Sequence, residues 1–141
     1  MYGDTEAIRG LARTMRRQAV ALRTEAEQLL ALADATPWDG VGADAMRLRV
    51  RQQTGALRRT AGLADEAANA LDAHAGEVDR LKALIAAIER KVTALVEAAK
   101  HRLAGLVDKV LPDPVDELLA RFVPPPSGHR DWLTVEVPGL P

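Results

Sequence analysis

The sequence contains no cysteine, so disulfides and thiolate metal sites are excluded. Aromatic residues are nearly as scarce, at 3% of 141 residues: two tryptophans, one tyrosine and one phenylalanine. That is too little for the core of a conventional globular domain, and it suits helices held together by small aliphatic side chains. Serine occurs once, at Ser127 in a proline-rich stretch, which leaves a Ser-His-Asp nucleophile without a setting. No run approaches the roughly 18 apolar residues of a membrane span, so no stable membrane span is expected. The start of the chain, Met1-Tyr2-Gly3-Asp4-Thr5-Glu6, has neither the basic nor the apolar region of a cleaved secretory signal. Export, if it occurs, is expected by a route that needs no classical signal peptide. The formal net charge is −1 with acids and bases interleaved, which gives no nucleic-acid surface and no polybasic membrane anchor.

What the chain does have is heptad periodicity. Asp4 is placed as an N-cap with Glu6 in the first turn. Apolar residues then recur at 4-3 spacing: Ile8, Ala12, Met15, Ala19, Leu22, Ala26, Leu29 and Ala33. One row is large and the other is alanine throughout, a pattern that lets two helix axes approach closely. The arginines at 9, 13, 16 and 23, with Glu25 and Glu27, fall mostly off this seam as a solvated face. Pro37 disfavours the α conformation at Thr36, which ends helix 1 near Ala35.

Thr36-Pro37-Trp38-Asp39-Gly40-Val41-Gly42 is the strongest turn signal in the first 110 residues. Beyond it, positions 43, 50, 57, 64, 71, 78, 85, 92 and 99 are all apolar. The spacing takes Met46, Gln53, Thr60, Ala67, His74, Leu81, Ile88, Leu95 and Arg102 as the second row of that seam. Gly76 is the place where a kink would fall, yet the register passes through it, which predicts one long second helix. The reading is all-α: a helical hairpin over 1–110, with helix 1 about 4–35, a turn at 36–42 and helix 2 about 43–110. Residues 111–141 follow as a short helix and a Pro-rich tail. Pro112-Asp113-Pro114 stops helix 2, and Asp113 with Pro114 opens the short helix, expected to end near Phe122. Pro124-Pro125-Pro126 is a polyproline spacer. Leu133, Val135 and Val137 alternate in a weakly strand-like way beside Trp132.

Helix 2 outruns helix 1 in this reading. The overhang holds the most apolar part of the chain: Leu81, Leu84, Ile85, Ile88, Val92, Leu95 and Val96. Either a partner covers it or the chain folds back. Two helices bury apolar faces on one side only, and stable bundles usually have three or four. The hairpin is therefore expected to pair into a helical bundle, with a dimer seam formed by Ile8, Met15, Leu22, Leu29, Leu71, Val78, Leu81, Ile85, Ile88, Val92 and Leu95.

Candidate chemistry is sparse. His74, His101 and His129 are far apart, and none follows a carboxylate at the Glu-x-x-His spacing of a di-iron helix. His74 lies on the seam as read here, as a core or interface histidine or as a pH-sensitive one. Glu97 and His101 have the i, i+4 spacing of a surface pair. Arg47, Arg49, Arg51, Arg58 and Arg59 form a solvated basic face or a site for an acidic partner. No phosphate loop and no catalytic constellation is present. No enzyme activity, metal or cofactor is expected.

A tryptophan in a tight turn between two amphipathic helices can be structural, covering the helix ends while Gly40 reverses the chain. The arrangement of helix, Trp38-Asp39-Gly40 turn and helix, with an Ala- and Leu-rich seam and no signal peptide, also resembles the WXG superfamily of type VII (ESX-type) secretion substrates of actinobacteria. The resemblance covers roughly residues 4–75. Four lysines against 15 arginines, in an alanine-rich chain, fit a high-GC genome.

The resemblance implies a small hairpin that pairs as a homodimer or a heterodimer with another small WXG-like protein in an antiparallel four-helix bundle. It implies export in the folded state, from the cytoplasm to the outside or the cell surface, through a complex driven by a secretion ATPase. Trp38 and Gly40 would then form half of a composite recognition surface. The other half in that family is a C-terminal Tyr-x-x-x-Asp/Glu. Here the tyrosine is Tyr2, at the opposite end, and no such motif follows helix 2. Trp132-Leu133-Thr134-Val135-Glu136 has an aromatic and an acid at the same spacing. The missing half points to one member of a pair. The competing reading is a cytosolic adaptor or chaperone-like bundle that shields the helical region of a partner, such as a secreted toxin.

Overall fold

The computed structural model describes residues 4–106 and 111–141. In chain order it has α1 (Thr5–Ala35), α2 (Val41–Ala104), α3 (Pro114–Ala120) and a short 3-10 helix, Arg130–Thr134. No strand occurs among the described residues. The stretch 107–110, expected as the end of helix 2, and Tyr2 lie outside them. Two compact units are present, Asp4–Gly76 and Glu77–Pro141, and α2 contributes to both.

In the first unit, α1 opens on Asp4, whose Oδ1 accepts the Ala7 amide at 3.1 Å. It ends at Ala35, with Thr36 in an extended conformation, as the clash between Pro37 and an α-helical neighbour requires. α1 and the first part of α2 pack against each other in antiparallel register. Arg16 pairs with Asp72 at 2.6 Å and Arg23 with Asp65 at 2.7 Å, so seven residues forward on one helix correspond to seven backward on the other.

The fully buried positions of this unit are small. Ala12, Ala19 and Ala26 on α1 and Ala61, Ala68 and Ala75 on α2 are at 0% exposure, so alanine rows form the innermost contact. Thr54 continues the α2 row, and its hydroxyl donates to the Arg51 carbonyl at 3.0 Å, which satisfies it locally. The large residues three positions after or four before these rows, Ile8, Met15, Leu22 and Leu29 on α1 and Leu57 and Leu71 on α2, are only partly buried. In an antiparallel pair, a step of three from the buried row turns to the same side on both helices. One side of the pair is therefore tied by the Arg16 and Arg23 ion pairs, and the other presents an apolar stripe.

This geometry corrects the seam of helix 2. Its second row runs through Thr54, Ala61, Ala68 and Ala75, not through Gln53, Thr60, Ala67 and His74. Gln53, Thr60 and His74 are exposed, so His74 is not a core residue of this unit.

In the second unit, the tail folds onto the later part of α2. Ile85, Val92 and Trp132 are buried together, with Ile88, Val96, Phe122, Val135, Val137 and Leu140 packed around them. The Trp132 indole N–H donates to the Pro126 carbonyl at 3.0 Å. Its ring meets Phe122 at a centroid distance of 6.4 Å. Glu89 on α2 accepts the Gly128 amide at 3.1 Å, and Gly139, at φ +92°, lies against Leu95. Arg102 on α2 holds Asp116 on α3 through two hydrogen bonds of 2.9 and 2.6 Å.

One open alternative is resolved here and two expectations change. The tail, which the sequence leaves either docked on a helix or mobile, packs on α2 through Trp132 and its neighbours. The alternation of Leu133, Val135 and Val137 does not make a strand: Arg130–Thr134 is a 3-10 helix begun by His129, whose Nδ1 accepts the Asp131 amide. The part of the expected dimer seam at Ile85, Ile88 and Val92 is taken up by the chain's own tail. Val78 is buried as well, while Leu81 and Leu95 are half-buried.

Candidate functional site

The linker between α1 and α2 is short and has little freedom. Pro37 fixes its own φ, and the Trp38 amide donates back to the Thr36 carbonyl at 2.8 Å, closing a three-residue turn around the proline. The Thr36 hydroxyl donates to the Leu32 carbonyl at 2.8 Å, tying the turn to the last coil of α1. Gly40 has φ +105°, a conformation that L side chains rarely adopt. Its carbonyl accepts the Asp44 amide at 3.0 Å, which starts α2.

Trp38 sits in the middle of this turn and is 51% exposed. Half-exposure of the largest side chain in a unit whose buried row is alanine means that its area is not spent on the unit's own core. One edge of the ring lies over Gly42: a Cβ built there would be 3.5 Å from Cζ2 and 3.6 Å from Cη2. The backbone is held from outside the turn by Arg47. Its Nη2 donates to the carbonyls of Thr36 at 3.0 Å and of Trp38 at 2.7 Å, and its Nη1 stands 3.8 Å from the Asp44 carboxylate.

The structure thus brings Trp38 and Gly40 together with two residues not singled out as part of the site. The sequence groups Arg47 with a basic face that is either solvated or a site for an acidic partner. Arg49, Arg51, Arg58 and Arg59 are indeed exposed, whereas Arg47 is partly buried against the turn. Its position in the second coil of α2, one coil beyond the turn, was the available signal. In the sequence, Gly42 marks only the composition of the turn. The seam residues Ile8, Met15, Leu22, Leu29 and Leu71 do not join this site; they line the apolar side of the same unit.

Against known proteins, the family described as "Putative T7SS secretion signal domain" matches residues 1–92. The match takes in α1, the turn and most of α2. The chain belongs to this family. It is thereby placed among type VII secretion substrates, and the half-exposed tryptophan turn lies inside the matched T7SS signal domain. No curated protein and no solved structure matches the chain. The family fits a signal-peptide-independent export route. Among the described residues, no helix is long and apolar enough to cross a membrane.

Proposed function

We propose that this protein is exported through a type VII system as one member of a pair, in the manner of the WXG proteins, and takes part through helix packing without a catalytic step. In this reading, Asp4–Gly76 is a helical hairpin. Its apolar side, with Ile8, Met15, Leu22, Leu29, Leu57 and Leu71, packs on the hairpin of a second copy or of another small WXG-like protein to complete a four-helix bundle. Trp38 and Gly40 contribute the recognition surface that the secretion machinery reads.

The observation that carries the reading is the exposure of Trp38 in a rigid turn inside the matched signal domain. One edge of the ring lies over Gly42 at the start of α2, and about half of the side chain is left open for a partner to bury. The apolar stripe supports pairing on separate grounds, since alanine rows alone leave the larger side chains half in water.

The pairing surface in this proposal is narrower than the sequence alone implies. It excludes Ile85, Ile88 and Val92, which the tail already covers. The same cover weakens the adaptor reading, because the tail already packs on Ile85, Ile88, Val92 and Val96 of the apolar overhang.

Quantitative proteomics of culture filtrates, with and without the secretion ATPase, tests the export claim. Extracellular protein should vanish with the ATPase, and equal amounts in both strains would overturn the reading. Light scattering on the purified chain, alone and with small Trp-x-Gly proteins encoded beside it, tests the pairing claim.

A further inference from the structure

We infer that Arg47 and Gly42 are positioning residues for Trp38: they hold its indole in one orientation on the turn, so that the export machinery meets a preformed aromatic surface. The inference rests on the export reading of the turn and deepens it.

The backbone that carries Trp38 is held at both of its polar groups. Its amide donates to the Thr36 carbonyl at 2.8 Å, and its carbonyl accepts Arg47 Nη2 at 2.7 Å. The same nitrogen donates to the Thr36 carbonyl at 3.0 Å. One guanidinium therefore spans Pro37 and joins the carbonyls on either side of it. The Arg47 side chain keeps only 20% of its exposure, unlike its exposed neighbours Arg49 and Arg51.

Gly42 supplies the second half of the device. Its φ is not positive; among the described glycines only Gly40, Gly128 and Gly139 need that region. Its backbone would accept any residue, and glycine weakens the start of a helix. What glycine provides here is room. The indole edge lies where a larger side chain would stand, and a single Cβ would just touch it at 3.5 Å. Alanine therefore fits at 42, whereas a β-branched residue would push the ring away.

An aromatic group already fixed in its binding orientation loses less freedom on docking, so affinity is gained without any new contact. Neither residue belongs to the alanine rows that hold the unit together. The carbonyls that Arg47 would leave are close enough to the surface for water to replace it. Presentation of Trp38 and stability of the unit can therefore be separated.

The experiment uses the full chain, 15N-labelled, which gives two indole N–H signals, one from Trp38 and one from Trp132. A Trp38→Phe sample assigns them. Arg47→Gln and Gly42→Val should each shift or broaden the Trp38 signal, leave the Trp132 signal in place, and raise acrylamide quenching of the exposed tryptophan. Both should lower export towards the level of Trp38→Ala, with helicity close to wild type by circular dichroism. Gly42→Ala should keep the signal and the export. If Trp38→Ala blocks export while Arg47→Gln and Gly42→Val are exported normally, positioning is overturned and the reading of the turn stands. If Trp38→Ala is itself exported normally, the reading of the turn fails. Should Gly42→Val lose helicity, Arg47→Gln decides: an unmoved Trp38 signal in that variant also overturns the inference.

Discussion

Arg102 holds both carboxylate oxygens of Asp116, at 2.9 and 2.6 Å, and so joins α3 to α2. The hydrogen bonds from Arg102 lower the Asp116 pKa, against a smaller opposing effect of desolvation. A carboxyl that binds its proton less readily in the folded chain than in the unfolded one stabilises the fold at neutral pH. That contribution is complete above the usual carboxylate range and is lost as pH falls below about 4 through the lowered folded value. The attachment of the tail should therefore loosen in acid. In a Trp38→Phe background, which isolates Trp132, the emission maximum should move to the red as pH drops. Asp116→Asn should weaken the attachment at neutral pH and flatten that dependence.

The alanine rows predict an asymmetry between adding and removing atoms. Ala19 and Ala68 are at 0% exposure on facing helices, so a larger side chain can enter only by forcing α1 and α2 apart. Ala19→Leu or Ala68→Leu should cost about 1–3 kcal/mol despite the added hydrophobicity. Leu32→Ala removes a larger side chain, but one that is 68% exposed, and should stay within about 0.5 kcal/mol. Urea titration followed by circular dichroism measures both.

The same rows explain what the sequence could and could not reveal. The all-helical class was legible because the 43-50-57 row and the 8-15-22 row keep one period over many turns. The second row of α2 was misread because Leu81, Ile88 and Leu95 are apolar too. Ile88 owes that character to the tail, whose Trp132 packs beside it, and so reports a different contact from the one made by Ala61 and Ala68. Leu133 belongs to the 3-10 helix and is exposed, whereas Val135 and Val137 imitate part of a strand because both pack against the cluster on α2. That contact joins residues some 40 positions apart, and no local pattern encodes it. At the turn, Trp38 and Gly40 were legible as residue types, whereas the reach of Arg47 to two carbonyls depends on the fold.

The glycines divide into those that the backbone requires and those it does not. Gly40 at φ +105° starts α2 from a conformation closed to alanine, and Gly40→Ala should cost about 1–2 kcal/mol. Gly62 and Gly76 lie inside α2, with nothing within 4 Å of an added Cβ. Gly62→Ala or Gly76→Ala should instead stabilise the helix by up to about 1 kcal/mol. Thermal unfolding of the three variants should give melting temperatures on opposite sides of wild type. A loss of stability in Gly76→Ala would mean that the helix needs flexibility at that point.

The two tryptophans should respond to truncation in opposite ways. Trp132 is 2% exposed and central to the contact between the tail and α2; Trp38 is 51% exposed and central to none. Trp132→Ala should cost about 3–5 kcal/mol where the tail meets α2. That is enough to free the tail for much of the time and to uncover Ile85, Ile88, Val92 and Val96. Limited proteolysis should then cut within 121–131 much faster than in the wild type, and light scattering should show self-association through the uncovered face. Trp38→Ala should leave both measurements unchanged. Trp132 is thus committed to folding, so the Trp132-to-Glu136 spacing cannot serve as an exposed signal while the tail is docked. If Trp132→Ala left the tail protected, the covering of α2 would have to rest on Arg102 and Asp116 instead, and the double variant with Asp116→Asn would release it.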